Sequence, residues 1–447
     1  MVEGAILLVI LLAAVAWIII ATAKIRLHAF LVLLLGAYFI GLAAGLPIPD
    51  IVKTIASGFG GTLQYIGIVI ACGTIIGTVL EYNGGAMTMA NTVLRLVGRK
   101  KSPLAMSLIG SVVSIPVFCD SGFVILSELN RSLAEKTKTS LSVMAIALST
   151  GLYATHCFVP PTPGPIAAAG LLGADLGLVI MFGLIVSVPA IAAGYFWATR
   201  YAPRFKIEPK PKVTYEQLIE RYGKLPSASK AFAPILVPIG LICLKSIADF
   251  PSHPFGIGTA AEILSFIGNP ITALIIGTFI SFLMVSKITK EVYHDWVGEG
   301  LKKAAVIILI TGAGGALGAM LKATGIGSYL GSTLAQYNLS IFLPFLIAAA
   351  LKTSQGSSTV ALITTPALIS PMLPAMGLTT PIGLTLTVLA IGAGSMVVSH
   401  ANDSYFWVVS QFSDMDVSTA YRCQTLGTLV EGAAGMTMVA ILALILL

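Results

Sequence analysis

Apolar runs long enough to cross a membrane alternate with short polar loops along the whole chain. The pattern predicts helical spans at about Ala5–Ala21, Leu27–Gly45, Thr62–Leu80, Leu176–Thr199, Phe232–Ala248, Ile263–Val285, Ala304–Leu321 and Thr425–Leu447. A helix needs about 20 residues to cross the hydrocarbon core. An amphipathic stretch runs through Arg95, and four further segments depart from the plain form. Pro103–Asn130 has Arg95, Arg99, Lys100 and Lys101 before it and Arg131, Lys136 and Lys138 after it. It is too short for two crossings of about 20 residues each. If both ends lie on one side, it is a re-entrant hairpin with Asp120-Ser121-Gly122 near its tip. The plain alternative is one span with a satisfied Asp. A second candidate hairpin, Ile341–Met372, holds the polar run Lys352 to Thr359. Leu141–Leu172 is a span broken at His156 to Pro165, where four prolines fall in the six residues from Pro160 and no helix continues. Ile382–Val409 is a second broken span, with Ser399-His400-Ala401-Asn402-Asp403 inside it.

Basic residues orient these spans, since short cytoplasmic loops collect lysine and arginine. With both termini outside, the inner loops hold 22 of the 26, and only Lys53, Lys245, Lys322 and Lys352 fall elsewhere. The first apolar run has Lys24 and Arg26 after it and no basic residue before it, so it reads as a retained first span. The two halves also resemble each other. Gly73, Gly77, Leu80 and Gly84 match Gly314, Gly318, Leu321 and Gly325 at a constant spacing of 241, and His156 matches His400 at 244. In this topology 62–80 runs inward and 304–321 outward. The predicted fold is therefore an all-α polytopic membrane protein of two inverted repeats, 1–200 and 231–447, each with a re-entrant hairpin and a broken helix. A polar cytoplasmic linker, 201–230, joins them. Inverted repeats whose discontinuous helices meet near the midplane are the architecture of secondary transporters.

Composition narrows the class. The 447 residues are 56% hydrophobic and 10% charged, against about 25% charged in soluble domains. The net charge of +7 resides in the topology-setting loops, so it does not point to nucleic acid. Cys72, Cys119, Cys157, Cys243 and Cys423 show no metal-ligand spacing and are expected to be reduced. The sequence has no His-Glu-x-x-His, no Gly-x-Ser-x-Gly and no phosphate or dinucleotide loop, which argues against an intramembrane enzyme.

The candidate chemistry lies at the breaks. Helix N-termini there offer free N–H groups and a positive dipole end, a seat for a carboxylate. Small residues at Ser121-Gly122 and Gly356-Ser357-Ser358-Thr359 let a ligand approach, with Phe118 beside them. Thr155, Thr162, Ser399 and Asn402 are candidates for ligand hydroxyls; the plainer role for such residues is helix packing. Asp120 is costly in hydrocarbon when ionised, by about 3 kcal/mol at a helix centre, and suits a proton carrier, with Asp403 as a second candidate. His156 and His400 fit either binding or structural roles, and Lys352 fits a site or snorkelling to the interface.

Gly58-Phe59-Gly60-Gly61-Thr62, Gly73-Thr74-Ile75-Ile76-Gly77, Ile115 to Phe123 and Phe158-Val159-Pro160-Pro161-Thr162-Pro163-Gly164-Pro165 resemble the gluconate permease family of gluconate:proton symporters. The resemblance covers nearly the whole chain. It implies membership of the wider ion transporter superfamily, a homodimer, and elevator-like movement of a transport domain. Gluconate members often read Phe-Phe-Asp where this chain has Phe118-Cys119-Asp120, and His where it has Thr162, so glycerate is an alternative substrate. The expected function is proton-coupled symport of a small hydroxy-carboxylate across a bacterial inner membrane, with protons as the coupling ion and no cofactor. Sodium-coupled carboxylate or D-amino-acid transport is the alternative within carriers, and an anion channel the alternative outside them.

Overall fold

Helices start where the chain supplies a proline or a short polar side chain, and several stop at glycine. The computed structural model describes residues 5–98, 101–210, 217, 220, 225–249, 255, 258–285, 289–325 and 340–447. The first half contains α1 (Ala5–Ile19), α2 (Ala29–Ala43), α3 (Ile48–Tyr82), α4 (Gly85–Val97), α5 (Ser102–Val113), α6 (Cys119–Lys136), α7 (Leu141–Phe158), α8 (Pro163–Leu172) and α9 (Leu176–Arg200). The second contains α10 (Ala228–Ala248), α11 (Thr259–Ile267), α12 (Pro270–Phe282), α13 (Val297–Ala323), α14 (Phe342–Gln355), α15 (Ser358–Ile369), α16 (Pro381–Met396), α17 (Ser404–Phe412) and α18 (Leu426–Leu446). Among the described residues there is no strand. Among the described residues, five stretches are long and apolar enough to cross a membrane, 141–172, 176–204, 228–248, 291–323 and 417–446, and up to seven if each of two bent helix pairs is one span. In the first of these the apolar window is wholly buried, whereas in α10 and α18 only 39% and 33% of it is. The outer helices thus present apolar side chains such as Phe196, Leu236 and Leu444 to the surroundings, as lipid-facing surfaces do.

Helix starts recur through the two halves. Ala29 and Pro270 begin α2 and α12, 241 residues apart; Pro163 and Ser404 begin α8 and α17, also 241 apart. Ser102 and Phe342 begin α5 and α14 at a separation of 240, and Cys119 and Ser358 begin α6 and α15 at 239.

The segment after Lys101 forms a pair of antiparallel helices. α5 runs in step with α7: a Cβ on Gly151 would sit 2.0 Å from the Ser107 carbonyl oxygen, and Thr155 Oγ1 donates to the Ser111 carbonyl at 2.8 Å. Only glycine allows so close an approach of the two backbones. α6 turns back into α7 through 137–140, with Gly122 against Leu152, so it opposes both. Ser102 Oγ lies 3.1 Å from Thr137 Oγ1, closing the open end of the pair. The second pair is closed similarly, Ser340 Oγ reaching the Met376 carbonyl at 3.5 Å. Between α5 and α6 the chain is irregular at 114–118, and between α14 and α15 only at Gly356-Ser357.

Several boundaries differ from the sequence pattern. α6 continues to Lys136, so Arg131 is helical and buried; it holds Asp414 at 2.5 Å and the Phe412 carbonyl at 2.8 Å. The expected span 263–285 is two helices bent by 62°, because Asn269 caps a new start, accepting from the Ile271 N–H at 3.0 Å ahead of Pro270. The expected start at Thr62 lies mid-helix in α3, whose Thr62 and Gly58 pack on Gly315 of α13. The linker begins pinned rather than free: Leu141 N–H donates to the Ile207 carbonyl at 2.9 Å, and Ser142 Oγ to that of Phe205 at 2.6 Å. Arg99, Lys100 and most of 211–224 lie outside the described residues.

Candidate functional site

Three helix N-termini meet at one cavity of about 290 Å³. The first is that of α6, with Phe118, Cys119 and Asp120 on the wall. The second is that of α15, reached through Gln355, Gly356, Ser357, Ser358 and Thr359. The third is that of α17, with Asn402, Asp403, Ser404 and Tyr405, while His156 of α7 completes the lining. Each break is shaped by its own sequence. Gly356 ends α14 at φ 89°, a left-handed conformation that glycine adopts without strain; a Cβ there would also meet the Asn402 carbonyl oxygen at 2.1 Å. Ser357 caps α15, its Oγ accepting from the Val360 N–H at 3.2 Å. Asp403 caps α17, Oδ1 accepting from the Tyr405 N–H at 3.0 Å.

The charges are arranged asymmetrically. Lys352 is fully buried, and its ammonium donates to Asp403 Oδ2 at 2.5 Å and to the Gly356 carbonyl. Ser399 Oγ donates to the same Asp403 oxygen at 2.5 Å. Among the described residues Asp120 makes no ion pair: Oδ2 lies 3.4 Å from Ser404 Oγ, and Oδ1 is buried without a partner. His156 Nδ1 is likewise unpartnered, and its ring lies parallel to that of Tyr153 at 6.4 Å.

Among the residues expected at the site, Phe118, Asp120, His156, Gly356, Ser357, Ser358, Thr359, Asn402 and Asp403 line the cavity. The others serve the surrounding framework. Gly122 faces Leu152, and Ser121 follows Asp120 in the first turn of α6 without lining the cavity. Thr155 binds Ser111, as above, and Thr162 Oγ1 donates to the Val159 carbonyl at 2.6 Å within its own break. Ser399 supports Asp403, and His400 Nε2 contacts the Thr353 carbonyl at 2.8 Å, fastening the second break to α14. Asn402 Nδ2 also donates to that carbonyl, at 2.9 Å.

Cys119, Gln355, Ser404 and Tyr405 join the wall without having been singled out from the sequence; the first three each flank a residue that was, and Tyr405 lies two places after Asp403. Behind the second break, Thr428 Oγ1 accepts from the Ser399 N–H at 3.0 Å and Gln424 Oε1 accepts from Ser149 Oγ at 2.8 Å. Glu431, one turn on, is fully buried. It presents the same signal as Asp120, an acid within an apolar run, yet the sequence analysis did not single it out. A larger cavity of about 720 Å³ lies by Gly173, Lys245 and Lys322, away from the breaks; convergent polar groups, more than size, mark a binding site.

The comparisons agree with this architecture. The model of the GntP family permease matches residues 6–445. A gluconate permease of Pseudomonas aeruginosa is 34% identical, over 99% of this chain and 99% of its own length. The D-serine transporter DsdX of Escherichia coli strain K12 is 33% identical over 95% of this chain and 96% of its own. The solved structure of MtrF from Neisseria gonorrhoeae superposes with a TM-score of 0.69 at 14% identity, covering 95% of this chain and 96% of that one, a likeness of fold. Matched from end to end by the family model and by full-length relatives, the chain belongs to the GntP family of permeases, a membrane transport protein and not an enzyme.

Proposed function

We propose that the chain imports a small hydroxy-carboxylate, gluconate-type or glycerate, in symport with a proton across a bacterial inner membrane. The observation that carries this reading is the convergence of three helix N-termini on one small cavity beside an unpaired Asp120. Positive dipole ends favour the substrate carboxylate; the hydroxyls of Ser357, Ser358, Thr359 and Ser404 match hydroxylated carbons; Asp120 takes the proton. The gluconate permease relative supports the substrate class. The 239–241 residue recurrence of helix starts supports a repeat of the first half in the second; we read it as inverted, with both termini outside. An elevator movement of the two breaks as one body, in a homodimer bedded in lipid, completes the reading. Uptake by purified protein in liposomes, screened over gluconate, glycerate, lactate and D-serine, tests it: saturable, accumulating uptake of a hydroxy acid is expected. Non-saturating flux without accumulation means a channel.

A second reading has its own observation. The free Asp120 oxygen suits an ammonium as well as a proton, and the DsdX relatives are named D-serine transporters. Accumulation of D-serine in preference to the hydroxy acids establishes this reading in place of the first.

A further inference from the structure

The second break contains a cation seat that is already filled. Gly356 O, at a hairpin tip, and Asp403 Oδ2, at a helix break, converge on one point. Ser399 and the Tyr405 N–H hold the carboxylate in place, and the Tyr153 ring face lies 6.0 Å away. A carbonyl and a carboxylate from two different elements are the ligands a small hard cation takes. Here they surround the ammonium of Lys352, whose side chain is fully buried and arrives from the last turn of α14. Among the described residues the first half has nothing comparable: 240 and 241 residues back stand Val112 and Ser111, and hairpin and broken helix are tied by the neutral bond from Thr155 to the Ser111 carbonyl. Arg131, the other buried cation among the described residues, is held by Asp414.

The wall of the cavity includes both Asp120 and Asp403, so an anionic substrate approaches two carboxylates. We propose that Lys352 is a resident cation. It locks the second hairpin tip to the second break and neutralises Asp403 on the cavity wall, as a diffusible metal ion would otherwise do, so carboxylate binding requires no sodium. The inference rests on the functional reading above and adds what cancels the charge of Asp403.

The test is binding of D-gluconate and D-glycerate to the purified full-length protein by calorimetry, in sodium and in choline buffers. Wild-type affinity is expected to be the same in both. Lys352→Ala should lose affinity by about tenfold or more in choline, as truncating one member of a buried charge pair does, and recover part of it with sodium, lithium or methylammonium filling the vacated seat. A loss that none of these cations relieves overturns the proposal, as does unchanged affinity. Lys352→Met with Asp403→Asn removes both charges and avoids a lone buried carboxylate. With the carboxylate of the seat gone, its affinity is expected to ignore sodium, lithium and methylammonium; rescue by these cations in the double variant overturns the proposal. Wild-type binding that demands sodium overturns this inference alone. Absence of any carboxylate or D-serine binding overturns the functional reading, and this one with it.

Discussion

Asp120 has one carboxyl oxygen near the Ser404 hydroxyl and one with no partner, so nothing in the fold requires its charge. Asp120→Asn keeps the shape and removes the proton site. We expect it to insert and fold as the wild type does, since losing a carboxylate lowers the cost of insertion, but to abolish accumulation driven by a pH gradient. Undiminished accumulation in proteoliposomes removes Asp120 from the coupling step. The position was legible because an acid in an apolar run is expensive and therefore conspicuous. Asp403 stood out by the same rule, but its partner did not. Lys352 is far from it in sequence, and no spacing relates them; the fold alone brings its ammonium to 2.5 Å from that carboxylate. Thr155, Thr162 and His400 illustrate the converse, since each contacts a main-chain carbonyl and does not line the cavity. Polar groups near a break look alike in sequence, whether they face the cavity or satisfy the carbonyls that the break frees.

At the scale of elements, the proline cluster at 160–165 marks where α7 stops, and the polar run at 399–403 lies between α16 and α17, whereas the irregular stretch of the first hairpin falls at 114–118, before Asp120-Ser121-Gly122. The supports behind the breaks were less visible. In α3, Gly77 backs onto the first hairpin so closely that a Cβ would lie 2.2 Å from the Pro116 carbonyl oxygen, while Gly73 meets that of Pro161 at 3.0 Å. Sequence comparison showed these glycines as a repeat signature; the structure gives the reason, a bare helix surface against which both breaks of the first half rest. Gly77→Ala is therefore expected to lower stability by about 1–3 kcal/mol through overpacking, and to weaken binding by displacing the chain before Phe118. Gly60 in the same helix has nothing within 4 Å of the place a methyl would take, so Gly60→Ala is expected to be neutral or stabilising by up to about 1 kcal/mol. Thermal unfolding of both variants in detergent checks the contrast; equal effects refute it. The bend at Asn269-Pro270 was legible in principle, as an Asn-Pro cap signal, but an uninterrupted apolar run around it reads as one span.

For the whole molecule, orientation follows from where lysine and arginine lie. In a cysteine-free background, single cysteines replacing Lys136 and Lys210 are expected to be shielded from an impermeant thiol reagent added outside cells, and one at position 252 to be labelled. Labelling of 136 from outside contradicts the topology. Energy coupling is then a matter of charge. A monocarboxylate carries one negative charge near neutral pH, and an inside-negative potential opposes its entry by about 2.3 kcal/mol per 100 mV. Uptake of the lone anion in a working cell therefore runs outward. One proton carried with it makes the step electroneutral, and the potential drops out. What remains is the substrate gradient and the pH gradient, about 1.4 kcal/mol for each pH unit. In the proposed cycle Lys352 and Asp403 neutralise each other in place, and a proton taken up by Asp120 would balance the arriving carboxylate. Liposomes with an alkaline interior are expected to accumulate the substrate without sodium, and a potential alone to do little. Uptake that follows sodium and ignores the pH gradient contradicts proton coupling. A strong response to potential means more than one proton per substrate, and His156, unpartnered at Nδ1 on the cavity wall, is then the second carrier to substitute.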